Sequence, residues 1–189
     1  MMSRLAYGLL VAISLTRVAA LATCAANLLI DDFDQFSRSL NVLGTRASDD
    51  GTMQSLALSA SGTTIAFTPS QQSYFYETLP CTRAAARGYD AVSFEVRAPW
   101  AGASFMLEIQ TRESCDAAAY ASAWALVEDL TGALQTVVVP LSAFGGAVGV
   151  NADAVTAFNW ATWDAWDVQW ELGVVEFVCA GGGGGCARR

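Results

Sequence analysis

A chain of 189 residues, 53% of them hydrophobic and 15% charged, is long enough for one domain with a substantial core. Its formal net charge of -8 argues against a nucleic-acid partner, whose phosphates are held by Lys and Arg. Histidine and lysine are both absent, which removes Ser-His-Asp and Cys-His catalysis, histidine-bound zinc or copper, and Schiff-base lysine chemistry.

The chain opens as a targeting segment. Arg4 supplies a short positive start, and residues 5–15 form an apolar run too short to span a bilayer. Val18-Ala19-Ala20 and Ala20-Leu21-Ala22 both offer the small-x-small pattern of a signal-peptidase site. Residues 1–22 are therefore read as a signal peptide, 23–179 as the folded domain, and 180–189 as a flexible glycine-rich tail. Losing Arg4 and Arg17 with the leader takes the net charge from -8 to -10. No later stretch is long and apolar enough to cross a membrane, so the expected product is extracellular, without a membrane anchor.

Beyond the leader the apolar periodicity is that of strands. Val92, Phe94 and Val96 alternate with Ser93, Glu95 and Arg97, and Phe105, Leu107 and Ile109 alternate with Met106, Glu108 and Gln110. With the turn Pro99-Trp100-Ala101-Gly102 between them, these two strands read as a hairpin in which Arg97 opposes Glu108. Further strands are expected over 28–33, 53–59, 63–68, 73–78, 123–128, 135–141, 155–160 and 168–178, and one helical turn over 117–125. Short strands with little helix predict an all-β fold, a two-sheet antiparallel β-sandwich of the jelly-roll kind.

Five cysteines fit an oxidising compartment. If the two terminal strands are neighbours, Cys24 bridges Cys179, and Cys81 then bridges Cys115, leaving Cys186 over. The rival pairing Cys179–Cys186 would free Cys24, and the sequence leaves both open.

The opening Leu28-Leu29-Ile30-Asp31-Asp32-Phe33, the following Asp49-Asp50-Gly51-Thr52-Met53 and the closing stretch from Trp170 to Cys179 resemble small secreted fungal proteins with a galactose-binding-like jelly roll. A fainter similarity is to the complex I intermediate-associated protein family, which shares the fold type but is mitochondrial. The first resemblance implies a carbohydrate-binding-module-like domain, found alone or attached to polysaccharide-active enzymes. The fold itself hosts lectin-like modules, enzymes and structural domains alike.

Sugar recognition needs flat aromatic faces and planar polar groups. Six tryptophans are present, and Trp160, Trp163, Trp166 and Trp170 crowd one short stretch. Trp170 reads as core, while Trp163 and Trp166 sit in the polar run Thr162-Trp163-Asp164-Ala165-Trp166-Asp167, where exposure would need a use. Trp100 at a turn tip, Tyr74 and Tyr76 on one strand face, and the polar pair Arg97 and Glu108 complete the candidate ligand set. The same tryptophans could instead fold back over the end of the sandwich, and Arg97 and Glu108 could simply be a solvated cross-strand pair. Asp31, Asp32, Asp49 and Asp50 suggest a structural calcium site, a guess raised by similarity to calcium-holding jelly-roll modules, although Asp and Gly also belong in ordinary turns.

Three functions remain. The leading one is a secreted, non-catalytic carbohydrate-binding module engaging a cell-wall or extracellular polysaccharide, with no catalytic residue and no cofactor beyond that calcium. The second is a glycoside-active enzyme using Glu108 with Glu128 or Glu171. The third is a structural or effector-like extracellular protein.

Overall fold

The structure is a computed structural model, and it describes residues 24–146 and 149–179. The expected signal peptide and the glycine-rich tail with Cys186 lie outside these residues.

Two antiparallel sheets are stacked as a β-sandwich. The first runs β3 (Ser55–Leu58), β4 (Thr64–Thr68), β11 (Trp170–Val178), β6 (Ala91–Arg97) and β9 (Gln135–Pro140). Its sixth member, β1 (Leu28–Asp31), pairs with Val175 to Phe177 of β11, while β4 pairs with Trp170 to Gly173. The second sheet runs β2 (Ala47–Ser48), β5 (Tyr74–Thr82), β10 (Val155–Ala161), β7 (Phe105–Arg112) and β8 (Tyr120–Val127).

Strand alternation builds the interior. Val92, Phe94 and Val96 of β6 and Leu172, Val175 and Phe177 of β11 meet Phe75, Phe158, Trp160, Phe105, Leu107 and Ile109 from the second sheet. The centre is aromatic, with Phe94 edge-on to Trp160 at 5.6 Å between ring centroids and Phe105 edge-on to Trp170 at 5.9 Å.

Both terminal strands are neighbours, and a disulfide joins Cys24 to Cys179 with the Cα atoms 6.0 Å apart. A second joins Cys81 to Cys115, whose Cα atoms are 5.5 Å apart. It links the end of β5 to the loop after β7, and β10 lies between those two strands. The bridge therefore ties together one end of the second sheet and limits the unfolded chain.

Three expectations are corrected. β6 and β7 are not a hairpin: they lie in different sheets, and residues 98–104 carry the chain from one to the other. Strict alternation reports only that each strand buries one face, and is silent on whether consecutive strands share a sheet. Arg97 therefore opposes Glu171 of β11 rather than Glu108, at 3.4 Å. The segment expected as a helical turn over 117–125 falls mostly within β8, where Ala123, Ala125 and Val127 point inward. Finally, β2 is a strand that the periodicity did not suggest, too short to show any alternation.

Candidate functional site

The outward face of the five-stranded sheet can be built row by row from its register. Tyr76 lies beside Asn159, Asn159 beside Glu108, and Glu108 beside Trp124, so one row crosses β5, β10, β7 and β8. On one side of it a second row holds Tyr74, Ala161, Met106 and Leu126. On the other side lie Thr78, Ala157, Gln110 and Ser122, and beyond these Arg112 stands opposite Tyr120. Small residues along β10 let the larger ones on β5 and β8 rise as walls. A recess of about 390 Å³ follows, lined among others by Tyr74, Tyr76, Gln110, Tyr120 and Asn159.

The polar floor is organised by direct hydrogen bonds. Asn159 Nδ2 donates to Glu108 Oε2 at 3.0 Å, and Gln110 Nε2 donates to Glu108 Oε1 at 3.3 Å. Glu108 is only 5% exposed, so its carboxylate serves mainly to aim two amides. Asn159 Oδ1 is buried and accepts no hydrogen bond from the described residues.

The aromatic wall has its own brace. Tyr76 Oη donates to Asp50 Oδ1 at 3.0 Å, Tyr74 Oη donates to Asp50 Oδ2 at 3.3 Å, and Arg46 pairs with Asp50 at 2.6 Å. The two rings lie 6.1 Å apart, tilted by 34°. Burial, followed by the charge and hydrogen bonds of Asp50, pushes both phenols above their ordinary range, so they remain donors. Asp50 thus positions both tyrosines.

The other sequence candidates are dispersed. Trp163, expected in an exposed loop, is 2% exposed and belongs to the core. Its indole packs 5.0 Å from Phe67, 4.9 Å from Phe105 and 5.0 Å from Trp170, and its Nε1 donates to the Ser73 carbonyl at 3.1 Å. The polar loop around it is satisfied by backbone bonds from Asp164 to Ser104 and from Asp167 to Pro69, which pull the tryptophan inward. Trp166 is 45% exposed but closes over that loop, donating from Nε1 to the Trp163 carbonyl, and does not line the recess. Trp100, 51% exposed, and Arg97, on the opposite sheet, do not line it either. Of the candidate set, the structure brings together Tyr74, Tyr76 and Glu108. It adds Asn159, Gln110, Trp124 and Tyr120, which sequence reasoning missed.

The four aspartates do not form one cluster. Asp49 accepts from the Met53 amide at 2.9 Å, and Asp32 accepts from the Asp34 amide at 3.1 Å, each within its own turn. Among the described residues no group of three or more His, Cys, Asp or Glu side chains is gathered for a metal. Asp31 is different. It is buried and faces Glu77, with Asp31 Oδ2 and Glu77 Oε1 lacking any N–H or hydroxyl donor. Burial and the Asp31 charge hold the Glu77 carboxyl well above the usual range, and burial raises Asp31 as well. A proton held between the two satisfies both orphan oxygens. The donor chemistry also fits a hard, oxygen-seeking cation, which would draw its remaining ligands from carbonyls or water.

Both folded-state values lie above the unfolded ones, so the protonated pair favours folding. That contribution is full below the ordinary carboxylate range and is lost as pH rises through the folded values. In a chelator-containing buffer, thermal unfolding should therefore show stability declining from pH 5 to pH 8. Glu77→Gln, which supplies a permanent donor to Asp31, should flatten that decline. An equal decline in the variant would contradict the assignment.

No protein-family model matches the chain, and no curated protein matches it in sequence. Solved structures do match. The family 11 carbohydrate-binding module from Clostridium thermocellum, solved with a β-1,3-1,4-mixed-linked tetrasaccharide, aligns with a TM-score of 0.55 at 11% identity, covering 80% of this chain and 95% of that one. A family 30 carbohydrate-binding module aligns with a TM-score of 0.56 at 11% identity, covering 81% and 99%. An agarase matches with a TM-score of 0.56 at 11% identity, covering 80% of this chain and 24% of the enzyme. At such identities the likeness is one of fold: this chain has the jelly-roll architecture of those modules.

Proposed function

We propose that this protein is an exported, non-catalytic carbohydrate-binding module that holds a polysaccharide along the outward face of its five-stranded sheet. The observation that carries this reading is the single row Tyr76–Asn159–Glu108–Trp124, in which two aromatic side chains flank a hydrogen-bonded amide and carboxylate across four strands. Aromatic rings stack on sugar C–H faces, and planar polar side chains pair with vicinal hydroxyls. Both disulfides and the leader support export, and no described helix is long and apolar enough to cross a membrane. Of the three segments that carry the likeness to small secreted fungal proteins, the first and last fall in β1 and β11, which pair with each other beside the Cys24–Cys179 bridge.

The enzyme reading finds less support. Glu108 is held by two amides, and Glu171 lies on the other sheet in an ion pair with Arg97. Two carboxylates on opposite outer faces cannot flank one glycosidic bond. Pull-down of the mature protein on chitin, cellulose, β-glucan and α-glucan, with reducing ends assayed in the supernatant, tests the reading. Retention on a polymer without sugar release is expected, whereas release would point to hydrolysis.

Calcium is carried forward to the Asp31–Glu77 pair. There Ca²⁺ would replace the shared proton, and should raise the melting temperature at pH 8 but not that of Glu77→Gln. An unchanged melting temperature in the parent protein would leave the proton as the group that neutralises the pair.

A further inference from the structure

At the far end of the same face, beyond Gln110, stands Arg112. Its position at the end of β7 puts it in the outward parity of Met106, Glu108 and Gln110, with Tyr120 of β8 as its cross-strand partner. The guanidinium is half-buried, and Nε is fully shielded from solvent without an acceptor. Among the described residues the ion pairs are Arg46–Asp50 and Arg97–Glu171, so no described carboxylate pairs with Arg112. A permanent cation with no carboxylate beside it favours an anion brought by a ligand.

The space beside it is large enough to hold the missing partner. A second recess of about 400 Å³ is lined by Arg112, Tyr120, Ala121, Gly149 and Asn151 among others. Tyr120 also lines the recess beneath Tyr74 and Tyr76, so the two hollows share a wall. Asn151 is already spent: its Nδ2 donates to the Arg112 and Glu113 carbonyls at 2.8 and 2.9 Å, which fixes the backbone around the arginine. Glu113, the acidic residue of this wall, is exposed and has the opposite strand parity.

Resting on the carbohydrate-binding reading, we propose that Arg112 and Tyr120 form a subsite for the carboxylate of a uronic acid, so that the ligand is an acidic rather than a neutral polysaccharide. The guanidinium fork takes a planar carboxylate through paired N–H donors, and Tyr120, 60% exposed, offers its ring to the same sugar. The net negative charge of the chain disfavours polyanions in general, so a local cation is what would admit an acidic sugar.

Affinity electrophoresis tests this with a uronate-bearing polymer, glucuronoxylan or polygalacturonate, against its carboxyl-reduced counterpart. The parent protein should be retarded at least about tenfold more strongly by the acidic form, the worth of one charge-assisted contact. Arg112→Gln should erase that preference while keeping the residual binding to the reduced polymer. Arg112→Lys should restore only part of it, and 0.5 M salt should weaken the acidic preference alone. Equal retardation by both forms would overturn the subsite and leave the module intact. Retardation by neither form, nor by any neutral glucan, would overturn the module reading itself.

Discussion

Trp163→Ala is expected to lower the unfolding free energy by about 3–5 kcal/mol, the largest stability effect of any single tryptophan replacement outside the sheets. Trp163 plugs the end of the sandwich where β10 returns to β11, against Phe67, Phe105 and Trp170. Truncation opens a cavity that these rings cannot fill without leaving their own positions. It also strands the Ser73 carbonyl, which accepts from the indole. Trp166→Ala, half-exposed and one turn away, should cost no more than about 1 kcal/mol. Urea unfolding with the disulfides intact would measure both. Equal midpoints for the two variants would contradict the burial of Trp163 and return it to the ligand surface.

Loss of both tyrosine rings is expected to have the largest effect on binding. The double variant Tyr74→Ala, Tyr76→Ala removes the wall of the recess while leaving the core ring Phe75, which points to the other face, untouched. Aromatic hot spots at recognition surfaces are worth about 2 kcal/mol or more each, so the pair should weaken glycan binding about 700-fold or more. Phe substitutions at the same positions separate stacking from polar contact. They keep the rings but remove the hydroxyls that bond Asp50, so binding should fall by less than in the alanine variant. Melting temperature should change little in either, because both rings lie outside the core.

These contrasts show which parts of the molecule are legible in its sequence. β6 and β7 alternate so regularly in sequence that their existence and buried faces follow from the period of two, whereas β10 and β11 each carry an irregularity that breaks it. The terminal strands are neighbours, and the Cys24–Cys179 bridge expected on that condition is present. Sheet membership was not legible, since the β6–β7 connection looks like a hairpin turn whether or not it crosses between sheets. The site suffered from an inverted signal along β8. There Tyr120, Trp124 and Leu126 point outward and alanines point inward, so the hydrophobic residues that usually mark a core mark the exposed face instead. The alanine-rich run then suggested helix. Large aromatics alternating with small residues are the pattern that could have identified this strand as one with an outward aromatic face. Trp163 misled for the opposite reason: its polar neighbours satisfy one another through backbone and side-chain bonds, such as Ser104 with Asp164, and the ring turns inward beneath them.

The most direct test of the central claim is retardation of the mature protein in native gels containing soluble polysaccharides, with the double tyrosine variant and Trp166→Ala run alongside. Retardation by at least one polymer, abolished in the tyrosine variant and kept in Trp166→Ala, is the predicted result. Retardation that survives loss of both tyrosines would move the site off this face, and none with any polymer would contradict carbohydrate binding.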